Sequence, residues 1–152
     1  MLRPMRGIMK KCSIIWLLLL LLATAQTNTL NTGTLVLELA PLEKLTGLVW
    51  LALYNSSDGF PDGADKVYRS ACEKVTAREM RIVIKDLPYG TYAVSAYHDI
   101  NGNGKMDMGA FGTLEPYGFS NNARAMFSAP PFSKAVFTHN SKETIIAIKL
   151  SK

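Results

Sequence analysis

Apolar and polar residues alternate with a period of two along most of the chain, a pattern that predicts strands rather than helices. In residues 34–39 the leucines take every second position, and in residues 80–85 Met80, Ile82 and Ile84 fall on one face, with Arg81 and Lys85 on the other. Residues 48–54 form a denser apolar run, which indicates a central strand covered on both faces. The predicted strands are residues 34–39, 48–54, 80–85, 91–97, 135–139 and 144–150, with a short edge strand at 66–70.

Turn-forming residues separate these segments. Asp, Gly and Pro cluster at residues 58–63 and 86–90, and a long segment at 98–131 is rich in Gly, Pro and Asn. Short strands at regular spacing, without a convincing amphipathic helix, are typical of a sandwich. We therefore predict an all-β fold, an antiparallel β-sandwich of about seven strands with one long loop. It forms a single domain over residues 33–152, preceded by a flexible tail at 26–32.

The first 25 residues have the three parts of a secretory signal peptide. A cationic opening precedes an apolar run at residues 14–22, and the small-residue site Ala23–Ala25 follows it. A membrane-spanning helix needs about 20 apolar residues, so this run is too short, and no later stretch is long enough. We expect cleavage after Ala25 and export to the periplasm or the exterior, with no transmembrane segment left.

The charge of the chain is concentrated in this leader. The 152 residues carry a formal charge of +5, but the leader holds four basic residues and no acidic one. The rest is close to neutral, which excludes a strongly basic nucleic-acid-binding protein. Cys72 is the one cysteine after the leader, so no internal disulfide forms and the fold must depend on its apolar core.

Residues 98–107 hold the densest set of residues with metal-binding chemistry. With Asp99 as position 1, oxygen-bearing side chains stand at positions 1, 3, 5 and 9, a glycine at position 6, and a carbonyl at position 7. Calcium binds about six to eight oxygens, and a curled loop presents alternate side chains to it. The predicted calcium ligands are Asp99, Asn101, Asn103, Lys105 and Asp107.

The match to a calcium loop is partial. Position 12 is Ala110 rather than a bidentate glutamate, although Glu115 supplies a further carboxylate if the loop folds back. So few charged ligands predict weak affinity, about 10⁻⁴–10⁻³ M. The alternative is a tight turn built from Asx side chains and glycines, which needs no metal.

The remainder of the long loop combines aromatic, amide and guanidinium groups, which suit a glycan or peptide ligand. The predicted ligand surface comprises His98, Tyr117, Phe119, Asn121, Asn122 and Arg124. In the competing interpretation the aromatic residues of the loop pack as a satellite core beneath it. That core would comprise Tyr117, Phe119, Phe127 and Phe132.

Motifs of known enzyme classes are missing from the sequence. It holds no phosphate-binding loop, dinucleotide fingerprint or nucleophile elbow, so we predict no enzymatic activity and no cofactor apart from calcium. A hydrolase that uses His98 and Asp99 is the least favoured alternative.

Several motifs occur in an order that resembles the bacterial exported family DUF2141, a domain of unknown function. The motifs are Leu87–Val94, His98–Asp107, Tyr117–Ala123 and the turn Asp58–Pro61, and together they span most of residues 33–150. The first motif is also similar to a turn in transthyretin-like and collagen-adhesin sandwiches. The resemblance implies a signal peptide and a small transthyretin-like or immunoglobulin-like sandwich, and it implies no established activity.

Together, these observations favour an exported binding or accessory module without enzymatic activity. Its calcium loop would stiffen a surface for an unknown glycan, peptide or protein partner at the cell envelope. The alternative is a purely structural sandwich with a metal-free turn.

Overall fold

The alternating segments form two packed β-sheets. The computed structural model describes residues 31–110, 112–125 and 128–152. The predicted leader and residues 26–30 of the predicted tail lie outside these ranges, and the first strand begins at Thr32. Within the described ranges, no helix has the length and apolar character needed to cross a membrane.

Ten strands and one short helix make up the regular structure of the described residues. The strands are β1 (Thr32–Leu39), β2 (Leu48–Tyr54), β3 (Arg69–Lys74), β4 (Met80–Pro88), β5 (Gly90–Asp99), β6 (Met108–Gly109), β7 (Gly112–Thr113), β8 (Tyr117–Phe119), β9 (Phe137–His139) and β10 (Glu143–Ile148). The helix α1 is a single turn, Phe132–Ala135.

One sheet has three strands in the order β10-β1-β4, and the other has the order β3-β2-β5-β8, with β9 paired to the start of β5. Strands β6 and β7 form a separate hairpin within the long loop. The predicted all-β sandwich is confirmed. Its pairings are antiparallel except between β1 and β10, which run parallel.

The core lies between the two sheets and is filled by every second residue of the central strands. Leu35, Leu37 and Leu39 on β1 face Val49, Leu51 and Leu53 on β2, and all six are buried. Burying a side chain of this size contributes about 1.5–3 kcal/mol, so this interface is the main source of stability.

Two of the strand boundaries that differ from the sequence prediction have a clear physical cause. The edge strand starts at Arg69 rather than residue 66, because Lys66 ends a short 3-10 turn and forms an ion pair with Asp58 at 3.1 Å. The strand predicted at 135–139 starts at Phe137, because the preceding residues form α1 directly after Pro131. Proline favours such a position, since its fixed φ suits the start of a helix.

The outer face of the five-stranded sheet carries a row of larger side chains. In the register of β3, β2, β5 and β8, Cys72 pairs with Trp50, Trp50 with Tyr97, and Tyr97 with Tyr117. Directly paired residues project to the same face of a sheet. This face, opposite to the core, supports the long loop that follows Asp99.

Candidate functional site

Asp99 ends β5 and is fully buried, with its carboxylate at the centre of the loop that follows. Oδ1 accepts hydrogen bonds from the backbone amides of Gly102 at 2.7 Å and Asn103 at 3.1 Å. Oδ2 accepts from the amide of Gly104 at 2.8 Å and from the indole Nε1 of Trp50 at 3.2 Å. The loop is therefore wound around one carboxylate, which satisfies three main-chain donors that no ladder partner satisfies.

Asparagine side chains extend the same pattern along the loop. Oδ1 of Asn101 accepts from the amide of Asn103 at 3.0 Å, and Oδ1 of Asn103 accepts from the amide of Lys105 at 2.9 Å. The Nδ2 groups of both asparagines donate to the carboxylate of Asp107, at 2.7 and 3.0 Å. Gly102 has φ +73°, a conformation that side-chain-bearing residues rarely adopt.

Glu115 closes the loop from the far side and is 3% exposed. Its Oε1 accepts from the amide of Ile100 at 2.7 Å, and its Oε2 accepts from the amide of Asp107 at 3.2 Å. One carboxylate thus ties the first and last turns of the loop together. The fold-back that would bring Glu115 to the loop does occur.

These hydrogen bonds set the charge of the site. Burial by itself raises the pKa of Asp99, but the hydrogen bonds from Gly104, Trp50 and the other donors outweigh it and hold the pKa below its ordinary value of 3.8. Burial, and then the negative charges of Asp99 and Glu115, raise the pKa of Tyr97 above 10.0. Both carboxylates therefore impose a negative field on the outer face of the sheet.

The five predicted calcium ligands do come together in one loop, but the side-chain oxygens of Asp99, Asn101, Asn103 and Asp107 already accept hydrogen bonds. Both oxygens of Asp99, Asp107 and Glu115 accept hydrogen bonds from the protein. In the described ranges, no three His, Cys, Asp or Glu side chains are grouped so that they could hold a metal ion. Hydrogen bonds alone account for the shape of the loop, and calcium binding stays a prediction.

Two members of the predicted ligand surface lie inside the protein rather than on its exterior. His98 is 1% exposed, because strand alternation places it on the core face of β5, where its Nε2 donates to the carbonyl of Thr46 at 2.7 Å. Phe119 is 7% exposed and belongs to a small cluster with Ala93 and Ala135, against which Phe60 and Phe132 pack. That cluster matches the satellite core considered above, of which Phe127 lies outside the described residues.

The other four members lie close together at the edge of β8. Asn121 acts on the backbone, because its Nδ2 donates to the carbonyl of Val136 at 2.8 Å. Tyr117, Asn122 and Arg124 line one small pocket, which also includes Lys149 from the C-terminal segment. Three of these four residues therefore lie together in one concave site.

A larger groove lies on the outer face of the five-stranded sheet, between the turn at 58–63 and the hairpin β6–β7. Its volume is about 320 Å³. Aromatic and hydroxyl side chains of β5 and β8 line its sheet side, and the loops form its walls. The lining residues include Pro61, Asp62, Ser95, Tyr97, Met106, Met108, Thr113 and Tyr117.

Sequence reasoning missed this groove because its walls come from segments far apart in the chain. Met106 lies within the loop at 99–107 and Met108 directly follows it, but nothing in their local pattern marks them as lining residues. Met108 is 67% exposed, more than any other large apolar side chain of the described residues.

The fold and the site define a small all-β sandwich with a carboxylate-centred loop beside an outer groove. The chain belongs to the bacterial family DUF2141, described as "Uncharacterized protein conserved in bacteria", whose match covers residues 38–147. This match confirms the resemblance drawn from the motifs. No curated protein and no solved structure was found to match the chain.

Proposed function

We propose that this protein is an exported, non-enzymatic binding module of the bacterial cell envelope, with the groove beside the Asp99 loop as its ligand site. The observation that supports this proposal is the groove itself, an apolar concavity on the outside of a complete sandwich. Ligand pockets usually have volumes of about 300–1,000 Å³ and are lined by apolar and aromatic side chains with few polar groups.

The chemistry of the lining favours an apolar side chain of a peptide or protein over a glycan. Tyr97 and Tyr117 offer aromatic surface, and two methionines offer flexible surface that adapts to different shapes. The hydroxyl of Ser95 already donates to the carbonyl of Pro61 at 2.9 Å. Asp62, Thr113 and the two tyrosine hydroxyls add polar groups, but the exposed lining of the groove is mostly apolar, which favours an apolar side chain.

In this proposal the Asp99 loop supports the groove and takes no part in chemistry. The Asp107 amide is held by Glu115, and the Asp107 carbonyl accepts from the amide of Leu114 at 2.8 Å. These contacts fix the segment that carries Met106 and Met108. His98 and Asp99 are both buried and hydrogen-bonded, which argues against their use in hydrolysis.

The test is a titration of the mature domain with N-acetylphenylalanine amide, a neutral probe with one aromatic side chain, followed by the NMR signals of ¹³C-labelled methionine methyl groups. We expect saturable shifts at Met106 and Met108, and none at Met80, which packs against the core on β4. Met108→Gln should weaken the response. Ile145→Gln, which removes an exposed apolar side chain from the other sheet, should not.

Two results would contradict the ligand site. One is the absence of saturation, as a purely structural sandwich predicts. The other is an equal effect of Met108→Gln and Ile145→Gln.

Export is tested separately: the full chain is expressed in a bacterium and the N-terminus of the extracytoplasmic product is sequenced. Cleavage after Ala25 gives a chain that begins at Gln26, whereas an intact leader would contradict export by a signal peptide.

A further inference from the structure

A second concave site lies at the edge of β8, where the chain segments around residues 124 and 150 meet. Its volume is about 80 Å³. A water molecule takes up about 30 Å³ in the liquid, so the pocket has room for one group of a few heavy atoms. The polar residues that line it are Tyr117, Asn122, Arg124, Ser128, Lys149, Ser151 and Lys152.

Hydrogen bonds fix the framework of this pocket. Ser151 and Tyr117 exchange two backbone hydrogen bonds, at 3.0 and 3.1 Å, which join the C-terminal segment to β8. The Arg124 guanidinium donates to Oγ of Ser151 at 2.9 Å, and the amide of Lys149 donates to Oδ1 of Asn122 at 2.8 Å. The Arg124 guanidinium and the main chain at Lys149 are therefore held by the framework, so the side chain of Lys149 is the basic group that a ligand still has to order.

Positive charge is concentrated here without a protein counter-charge. In the described ranges the ion pairs are Lys66 with Asp58 and Arg81 with Glu38, so neither basic residue of the framework has a carboxylate within ion-pair distance. No Asp or Glu side chain is among the described residues that line the pocket. Lys152 adds a third basic residue to the lining.

We propose that this pocket binds a phosphoryl group, held by the Arg124 guanidinium and the Lys149 ammonium. A guanidinium has five N–H donors in a planar fork that suits phosphate oxygens, and only one contact of Arg124 is taken by Ser151. Ser128 and Ser151 add hydroxyl groups at the pocket wall. This site is separate from the proposed function, although the pocket and the groove share Tyr117 and Phe119 as lining residues.

The test is a titration of the ¹⁵N-labelled mature domain with inorganic phosphate at constant ionic strength, which removes general salt effects. We expect saturable shifts of the amide signals of Gly118, Arg124 and Ser151. Arg124→Gln should weaken binding at least about tenfold, equivalent to about 1.4 kcal/mol. Lys149→Gln should weaken it as well. Lys134→Gln makes the same charge change on α1, outside the pocket, and should leave binding unchanged.

Vesicles distinguish the two sources of a phosphoryl group. Sedimentation with phosphatidylglycerol vesicles that phosphate competes away assigns the site to a lipid headgroup, and failure to sediment assigns it to a free phosphate or phosphate ester.

Absence of saturation up to about 50 mM phosphate, far above a millimolar dissociation constant, overturns the proposal. Equal weakening by Arg124→Gln and Lys134→Gln overturns it too. Neither result bears on the groove, whose probe is neutral and whose readout is a methionine methyl group.

Discussion

The replacement Asp99→Ala should destabilise the domain more than any other single change in the long loop. It removes the acceptor of four hydrogen bonds, three from backbone amides and one from the Trp50 indole. No other side chain in the described part of the loop between β5 and β6 accepts as many hydrogen bonds. The amides belong to residues 102–104, which are exposed, so water can replace part of what is lost.

The magnitude follows from those four contacts. A net value of about 1 kcal/mol per hydrogen bond gives a loss of about 4 kcal/mol. This value per bond is below the range of about 1.5–3 kcal/mol for charged acceptors, because water reaches the amides. Asp99→Asn keeps the shape and one acceptor oxygen, so about half of that loss is expected. Domains of this size are stable by about 5–15 kcal/mol, so Asp99→Ala should remain folded but with little reserve.

Urea unfolding of the mature domain measures this loss, followed by both Trp50 fluorescence and far-ultraviolet circular dichroism. Trp50 is the one tryptophan after the leader, and its indole donates to Asp99, so its emission reports directly on the loop. If the loop unfolds before the sandwich, fluorescence and circular dichroism report different transition midpoints. The loss of unfolding free energy then belongs to the first transition. The control is Asp107→Ala, which removes two bonds between exposed loop side chains and should cost about 1 kcal/mol or less. A loss below about 1 kcal/mol for Asp99→Ala, or equal losses for the two variants, would refute the reasoning.

Three further outcomes are expected. Because the pKa of Asp99 is lower in the folded than in the unfolded chain, the stability it contributes is complete above its ordinary pKa of 3.8. That stability is lost as the pH falls below 3.8, and acid unfolding of Asp99→Asn should show a shallower decline. Gly47→Ala should cost at least about 2 kcal/mol in thermal melts, because φ is +76° and a Cβ would collide with the carbonyl oxygen of Asp99. Gly104→Ala, with the same φ but open space around it, should cost about 1–2 kcal/mol. Ser120→Ala should cost about 1–3 kcal/mol in urea unfolding, since the buried hydroxyl accepts from the amide of Val94 at 2.9 Å.

The sandwich could be predicted from the sequence because its strands bury one face each. Every second residue of β1 and β4 is apolar, and a one-residue slip would move each of them to the solvent side, so the pattern fixes which face is inside. The loop could be predicted for a similar reason. Asx side chains and glycines at fixed spacings act on backbone groups a few residues away, and such short-range bonds depend on local sequence alone.

The groove and the burial of His98 could not be predicted, because both depend on contacts between distant segments. The strand assignment ended at Tyr97, whereas β5 continues to Asp99 and carries His98 onto the core face. Its ring then bonds to Thr46, 52 residues away. The groove likewise joins Pro61 to Met108, whose proximity depends on how two loops fold over the sheet. Periodicity within a segment carries no information on such pairs.

Calcium provides the last prediction, since the hydrogen-bonded loop and a calcium loop differ in a measurable way. A site with a dissociation constant of about 10⁻³ M would raise the free energy of unfolding by about 1.4 kcal/mol at about 10 mM calcium. To bind through Asp99, however, the ion would have to displace one of its four donors, because two donors already occupy each of its oxygens. The metal-free turn therefore predicts that the free energies of unfolding in calcium and in chelator differ by less than about 0.5 kcal/mol. A gain of about 1.4 kcal/mol in the free energy of unfolding of the wild type, absent from Asp107→Asn, would show instead that calcium binds the loop.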